Sequence, residues 1–163
     1  KVKPSDSTPL DQVKLVLVCL FFSMAPDLDI AVAALMGDMG RYHNNMSHSP
    51  VFGILACFVL SPLARWFLGR TWTWPRTLAL ISACYGLHLF MDWLTYGRGL
   101  MLAWPFSETR FRSPVLLFYG VRWSDGFTSA RHFISVANEL VFIGVLWLAG
   151  WWRRSRGAGQ TPR

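Results

Sequence analysis

The chain has 163 residues, a formal net charge of +7, 53% hydrophobic residues and a mean hydropathy of +0.32, which is too apolar for an ordinary soluble domain of this length. Its 16 Lys and Arg residues lie along segment ends instead of on one helix or arm, so they read as positive flanks of membrane helices, and no nucleic acid is expected as a partner. Cys19, Cys57 and Cys84 each fall inside an apolar run without paired spacing, which excludes a disulfide framework and makes them small buried hydrophobes.

The first apolar run is Val13–Met36. Its Leu15–Ala25 portion has the length of a signal h-region, yet the carboxylates that follow make a poor cleavage site, and a retained helix is expected. Pro26 ends or kinks that helix, and Asp27 and Asp29 take alternate positions behind it. If extended, this D-x-D places both carboxylates on one side of the chain, where oxygen ligands can hold a divalent cation. An Asp after Pro is equally an ordinary turn or N-cap residue. The connection to the second run reads Arg41-Tyr42-His43-Asn44-Asn45-Met46-Ser47-His48-Ser49-Pro50. Its two histidines form a candidate ligand pair, with Asn and Ser neighbours able to orient the imidazoles.

The second run, Pro50–Leu68, is apolar throughout apart from Ser61 and Arg65. In the third, Thr77–Tyr96, the residues Tyr85, His88, Asp92 and Tyr96 recur at helical spacing and share one face. An imidazole and a carboxylate one turn apart can bind one metal or bridge two; the bland reading is a buried His–Asp contact between helices. Gly97–His132 follows as the longest polar stretch, and loops of that length are usually functional. The fourth run, Phe133–Trp152, opens beside His132, Ser135 and Glu139, and the apolar stretch behind Glu139 directs it to the bundle interior.

Each run approaches the roughly 20 residues needed to cross a bilayer as a helix, and period-2 alternation is absent. The expected fold is all-α, a polytopic membrane protein with about four transmembrane helices, organised as one domain over residues 1–152 with a basic, disordered tail over 153–163. Tryptophans near the run ends suit an interfacial belt. Placing both termini in the cytoplasm puts Lys1, Lys3, Lys14, Arg65, Arg70, Arg76, Arg153, Arg154, Arg156 and Arg163 inside, against Arg41, Arg98, Arg110, Arg112, Arg122 and Arg131 outside. In that orientation every candidate ligand lies toward the outer side. Ionisable groups in a membrane segment need a reason; Asp27, Asp29, His43, His48, His88, Asp92 and Glu139 are therefore expected to hold one or more divalent ions, zinc first given the imidazole-rich set.

Pro26-Asp27-Leu28-Asp29, then His43-Asn44 and Ser47-His48-Ser49, then His88-x3-Asp92 and Trp104-Pro105-Phe106 together resemble the bacterial YdjM-type membrane-bound metal-dependent hydrolases. The resemblance covers roughly residues 15 to 145 and departs mildly from the family pattern at Asn44 and Ser47. It implies an inner-membrane enzyme. Through a remote similarity to zinc-dependent phospholipase C and single-strand-specific zinc nucleases, it further implies hydrolysis of a small-molecule or lipid phosphoester by metal-activated water. On that reading Asp29 or Glu139 is the base, Arg41, Arg110 or Arg112 holds substrate phosphate, and membrane lipids are the surroundings. A transporter or proton relay built on the same His/Asp cluster, and a non-catalytic metal-stabilised membrane protein, are the competing expectations.

Overall fold

A computed structural model describes residues 8–37, 43–120 and 129–157. The chain is helical, with no sheet among the described residues. Helix α1 is Pro9–Met24, α2 is Asp29–Met36, α3 is Pro50–Leu68, α4 is Trp74–Trp93 and α5 is Ala130–Gly157.

Local sequence accounts for the helix ends. Thr8 and Asp11 form a reciprocal capping box at the start of α1, with Pro9 in the first turn. Pro26 interrupts α1, and Ala25–Leu28 tightens into a 3-10 turn before α2 resumes. The D-x-D stretch is thus helical and not extended. Gly37 closes α2 at φ 71°. Ser49 caps α3 by accepting from the Phe52 amide at 3.2 Å, followed by Pro50. Inside α3, the Ser61 hydroxyl donates to the Phe58 carbonyl at 2.8 Å, one turn before Pro62, and accepts from the Trp74 indole at 2.7 Å.

α1, α3 and α4 pack together. Val18 and Phe22 of α1, Cys57, Ala64 and Leu68 of α3, and Ile81, Tyr85 and Leu89 of α4 form the core, with Leu100 from the segment after α4. The opposite faces leave Leu17, Phe21, Ile54, Leu55, Val59 and Leu63 exposed, a surface suited to lipid. Three helical stretches are long and apolar enough to cross a membrane: Pro9–Met36, Pro50–Leu68 and Ala130–Arg156. α4 is long enough but not apolar enough, because Arg76, His88 and Asp92 interrupt it. The helix with the weakest claim on lipid lies against both other members of the bundle. Tyr96, expected on its functional face, falls beyond its end and is exposed.

After α4 the described chain folds back on itself. Leu100 and Phe111 exchange backbone hydrogen bonds at 2.9 and 2.8 Å, and the Tyr96 amide donates to the Phe118 carbonyl at 2.9 Å. α5 meets this segment through Ser135, whose hydroxyl donates to the Gly120 carbonyl at 2.5 Å, through Asn138 and through Phe142. It continues to Gly157, so Arg153, Arg154 and Arg156, expected in a disordered tail, lie on its last turns, with Arg156 over the Trp152 ring.

Candidate metal centre

All six central candidates collect at one end of the α1–α3–α4 bundle. Asp27 and Asp29 stand where α1 breaks, His43 and His48 precede α3, and His88 and Asp92 occupy the last turns of α4. At 1.5 Å per residue, Asp27 lies about 27 Å along from the start of α1 and Asp92 about 27 Å from the start of α4, near the far edge of a hydrocarbon core roughly 30 Å thick.

Asp27, His48, His88 and Asp92 each offer one ligand atom, all within 4.8 Å of one another. His48 Nε2 is 3.3 Å from Asp27 Oδ1 and 3.2 Å from Asp92 Oδ2; His88 Nε2 is 3.7 Å from Asp27 Oδ1 and 3.3 Å from Asp92 Oδ2. Four donors at zinc bond lengths of roughly 2.0–2.1 Å in a tetrahedron stand about 3.3 Å apart, so the spacing fits one small divalent cation. Among the described residues His88 Nε2 is buried without a well-aligned hydrogen bond, its nearest acceptor being Asp92 Oδ2 at 3.3 Å. A buried polar atom left unsatisfied is costly, and this one lies among three other ligand atoms.

His48, fully buried, is held at both ring nitrogens. Its Nδ1 lies 3.0 Å from Ser47 Oγ and 3.3 Å from Asp29 Oδ2, while Nε2 faces Asp27 and Asp92. Burial alone would drive its pKa down; the hydrogen bonds to Asp27, Asp29 and Asp92 outweigh this and raise it to about 10. A carboxylate behind a ligating imidazole fixes the ring and its tautomer, which is the place Asp29 takes.

Asp29 also shapes the loop. Its Oδ2 accepts from the Asn44 amide at 2.9 Å and the Ser47 hydroxyl at 2.7 Å, and its Oδ1 lies 2.8 Å from His43 Nδ1. Asn44 adopts φ 59°, a left-handed conformation that Asn tolerates, and this turns its amide inward. With both oxygens engaged, Asp29 is not a free base in this arrangement. Tyr85 supports the loop from below by donating its hydroxyl to the Ser47 carbonyl at 2.5 Å, and its ring lies over Gly53, where a Cβ would stand 2.6 Å from ring carbon.

Arg110 donates to the carbonyls of Asn44 and Gly99 at 2.9 and 3.1 Å and to Asn45 Oδ1 at 2.5 Å, and Arg98 donates to the His43 carbonyl at 2.5 Å. Both tie the histidine loop to the segment after α4. Arg110, expected to hold phosphate, thus has a structural task. Beside the centre opens a cleft of about 580 Å³ lined by Asp29, Val32, Asn45, Met46, Ser47, Met101, Trp104, Glu108 and Arg110.

Two expected participants, Glu139 and Arg112, are exposed away from the two ligand groups. Glu139 is exposed on α5, one position past Asn138, because the face that meets the rest of the chain carries Ser135, Asn138 and Phe142. It belongs to neither ligand group, and neither does His132. Arg41 lies outside the described residues. Conversely, Arg98, Gly53 and the Tyr85 hydroxyl shape the site without a sequence signal that singles them out; only the place of Tyr85 on the His88–Asp92 face pointed toward it.

The YdjM inner membrane protein family model matches residues 2–157. Inner membrane protein YbcI of Escherichia coli (strain K12) is 29% identical over 161 residues, covering 86% of this chain and 85% of the relative. No solved structure matches.

Proposed function

The chain belongs to the YdjM inner membrane protein family, and from that premise we propose that it is a membrane-embedded metal-dependent hydrolase acting on a phosphoester, a phospholipid-type molecule first. The observation that carries the reading is the convergence of the buried His88 Nε2 on Asp27 at 3.7 Å and Asp92 at 3.3 Å, in a set of two imidazoles and two carboxylates spaced for one cation. Two nitrogen and two oxygen donors suit zinc. A divalent cation held at this end of the bundle with a coordination position left open would supply Lewis acidity and would lower the pKa of water in contact with it to about 7.

The chain's own residues orient and receive. Asp29 and Ser47 set the His48 ring, Tyr85 fixes Ser47, and Arg98 and Arg110 hold the loop against the segment after α4. The adjoining cleft offers apolar walls at Val32, Met46, Met101 and Trp104, which suit an apolar tail, and sets Asn45 and Arg110 beside the carboxylates of Asp29 and Glu108, so an anionic head would need the charge of a bound cation to enter. The Lys and Arg distribution supports cytoplasmic termini and a site toward the outer face.

Away from the site the seams between α1, α3 and α4 are lined by Val18, Ile81, Cys57, Ala64 and Leu68, with Ser61 and Thr77 buried among them. Among the described residues that lining gives no chain of ionisable groups along the bundle, which disfavours transport.

The test is metal analysis of detergent-purified protein paired with a screen of phosphodiesters, phosphomonoesters and phospholipids. Retained zinc that disappears in His88→Ala and Asp92→Ala, with hydrolysis abolished by chelation and restored by zinc, is the expected result. Protein without metal affinity, variants that bind as the parent does, or a loaded protein inert toward the whole panel would overturn the proposal.

A further inference from the structure

We propose that this end of the bundle holds two cations, with Asp27 shared between them and the second ion bound by Asp29 and His43 on the cleft side. The inference rests on the metal-binding half of the reading above and adds stoichiometry, an asymmetry between the ions and a charge.

A second ligand group, Asp27, Asp29 and His43, also has its donor atoms within 4.8 Å of one another and overlaps the first only at Asp27. Asp29 divides its two oxygens between tasks. Oδ2 carries the loop through the Asn44 amide and the Ser47 hydroxyl, whereas Oδ1, among the described residues, meets His43 Nδ1. Their 2.8 Å contact is a hydrogen bond, shorter than the spacing of about 3.3 Å between donors on a tetrahedral zinc, and a small separation opens it to a cation. The side-chain oxygen of Asn44, the residue after His43, is a buried acceptor without a partner among the described residues.

Charge points the same way. Asp27, Asp29 and Asp92 bring three carboxylates together, so one divalent cation with neutral imidazoles leaves the cluster negative and repels an anionic substrate. A second cation makes it positive, the sign that attracts a phosphate ester.

The two positions differ in kind. The first has four protein donors, including the fully buried His48, the closed pattern of a tightly held ion. The second has three, and Asp29 lines the cleft, which leaves a coordination position open to a ligand as in catalytic sites. Binding is therefore sequential, with the second ion weaker and exchangeable.

The experiment strips full-length protein in detergent with chelator, titrates it with zinc while counting ions per chain, and records the electron paramagnetic resonance spectrum of the manganese-loaded form. The expected result is two ions of unequal affinity and an exchange-coupled manganese pair. His43→Ala and the milder His43→Gln should keep one ion and convert the spectrum to that of isolated manganese. One ion per chain with an isolated signal in the parent protein would overturn the second position and leave the four-donor site standing. No bound ion would overturn both.

Discussion

Replacing Gly53 by alanine is the sharpest test of how the site is supported. An added Cβ would stand 2.6 and 2.7 Å from two carbons of the Tyr85 ring, closer than carbon atoms pack, and neither partner yields easily. Gly53 is on a helix backbone, and Tyr85 is 3% exposed with its hydroxyl bonded to the Ser47 carbonyl. Overpacking a filled core costs about 1–3 kcal/mol. Expelling the ring also strands a buried hydrogen-bonding group, at about 1–3 kcal/mol, while the better helix propensity of alanine returns about 1 kcal/mol. The expected net loss is about 1–5 kcal/mol, or about 2–20 °C in melting temperature for a chain of this size. Gly86, the residue after Tyr85, has nothing within 4 Å of its added Cβ, and Gly86→Ala should change stability by less than about 1 kcal/mol. Thermal unfolding of both variants in detergent, followed by tryptophan fluorescence, makes the comparison. Gly53→Ala melting at or above the parent temperature would refute the wedge.

Other outcomes follow from the same geometry. In the ion-free protein His48 is raised from its ordinary 6.5 to about 10, so its contribution to stability is complete below pH 6.5 and is lost as pH climbs through about 10. Cation uptake at pH 7.5 should accordingly release about one proton from His48, measurable by calorimetry in buffers of different ionisation heat; uptake without proton release would contradict the assigned hydrogen bonds. Ser47→Ala removes the hydroxyl between Asp29 and His48 and should weaken zinc binding by about 10–100-fold, read by competition with a chelating dye. Arg110→Lys should destabilise the fold nearly as much as Arg110→Ala, because one ammonium cannot span the Asn44, Gly99 and Asn45 acceptors that the guanidinium joins; full stability of the lysine variant would count against that role.

Much of this site could be read from spacing. His88 and Asp92 are one turn apart, and Pro26 marks a helix break with carboxylates behind it, so the helical period and proline chemistry alone pick out those residues. Ser49-Pro50 likewise announces the start of α3. The misplacements have a common origin, since periodicity reports which residues share a face within one helix but not which helix that face meets. Glu139 belongs to an apolar run and was directed inward on that ground, yet α5 touches the rest of the described chain through Ser135, Asn138 and Phe142. Arg110 looked like a phosphate ligand because a loop arginine has no visible acceptors in sequence; its acceptors are backbone carbonyls and an amide brought close only by folding. An extended D-x-D would put both carboxylates on one side of the chain, whereas the 3-10 turn places Asp27 and Asp29 at opposite ring nitrogens of His48.

The low apolarity of α4 bears on how the protein is made. Translocation machinery releases segments to lipid according to their own composition, and a helix bearing Arg76, His88 and Asp92 is poorly suited to cross alone. The Arg65 bond to the Trp72 carbonyl and the Trp74 bond to Ser61 join the end of α3 to the start of α4 across a short link, so the two are built to enter as a hairpin. Settlement of α4 then waits on α1, already synthesised, to cover its other side. The polar residues of the candidate metal centre thereby impose an order of assembly on the ribosome's product, in which the segment carrying His88 and Asp92 is the last of the bundle to find its place.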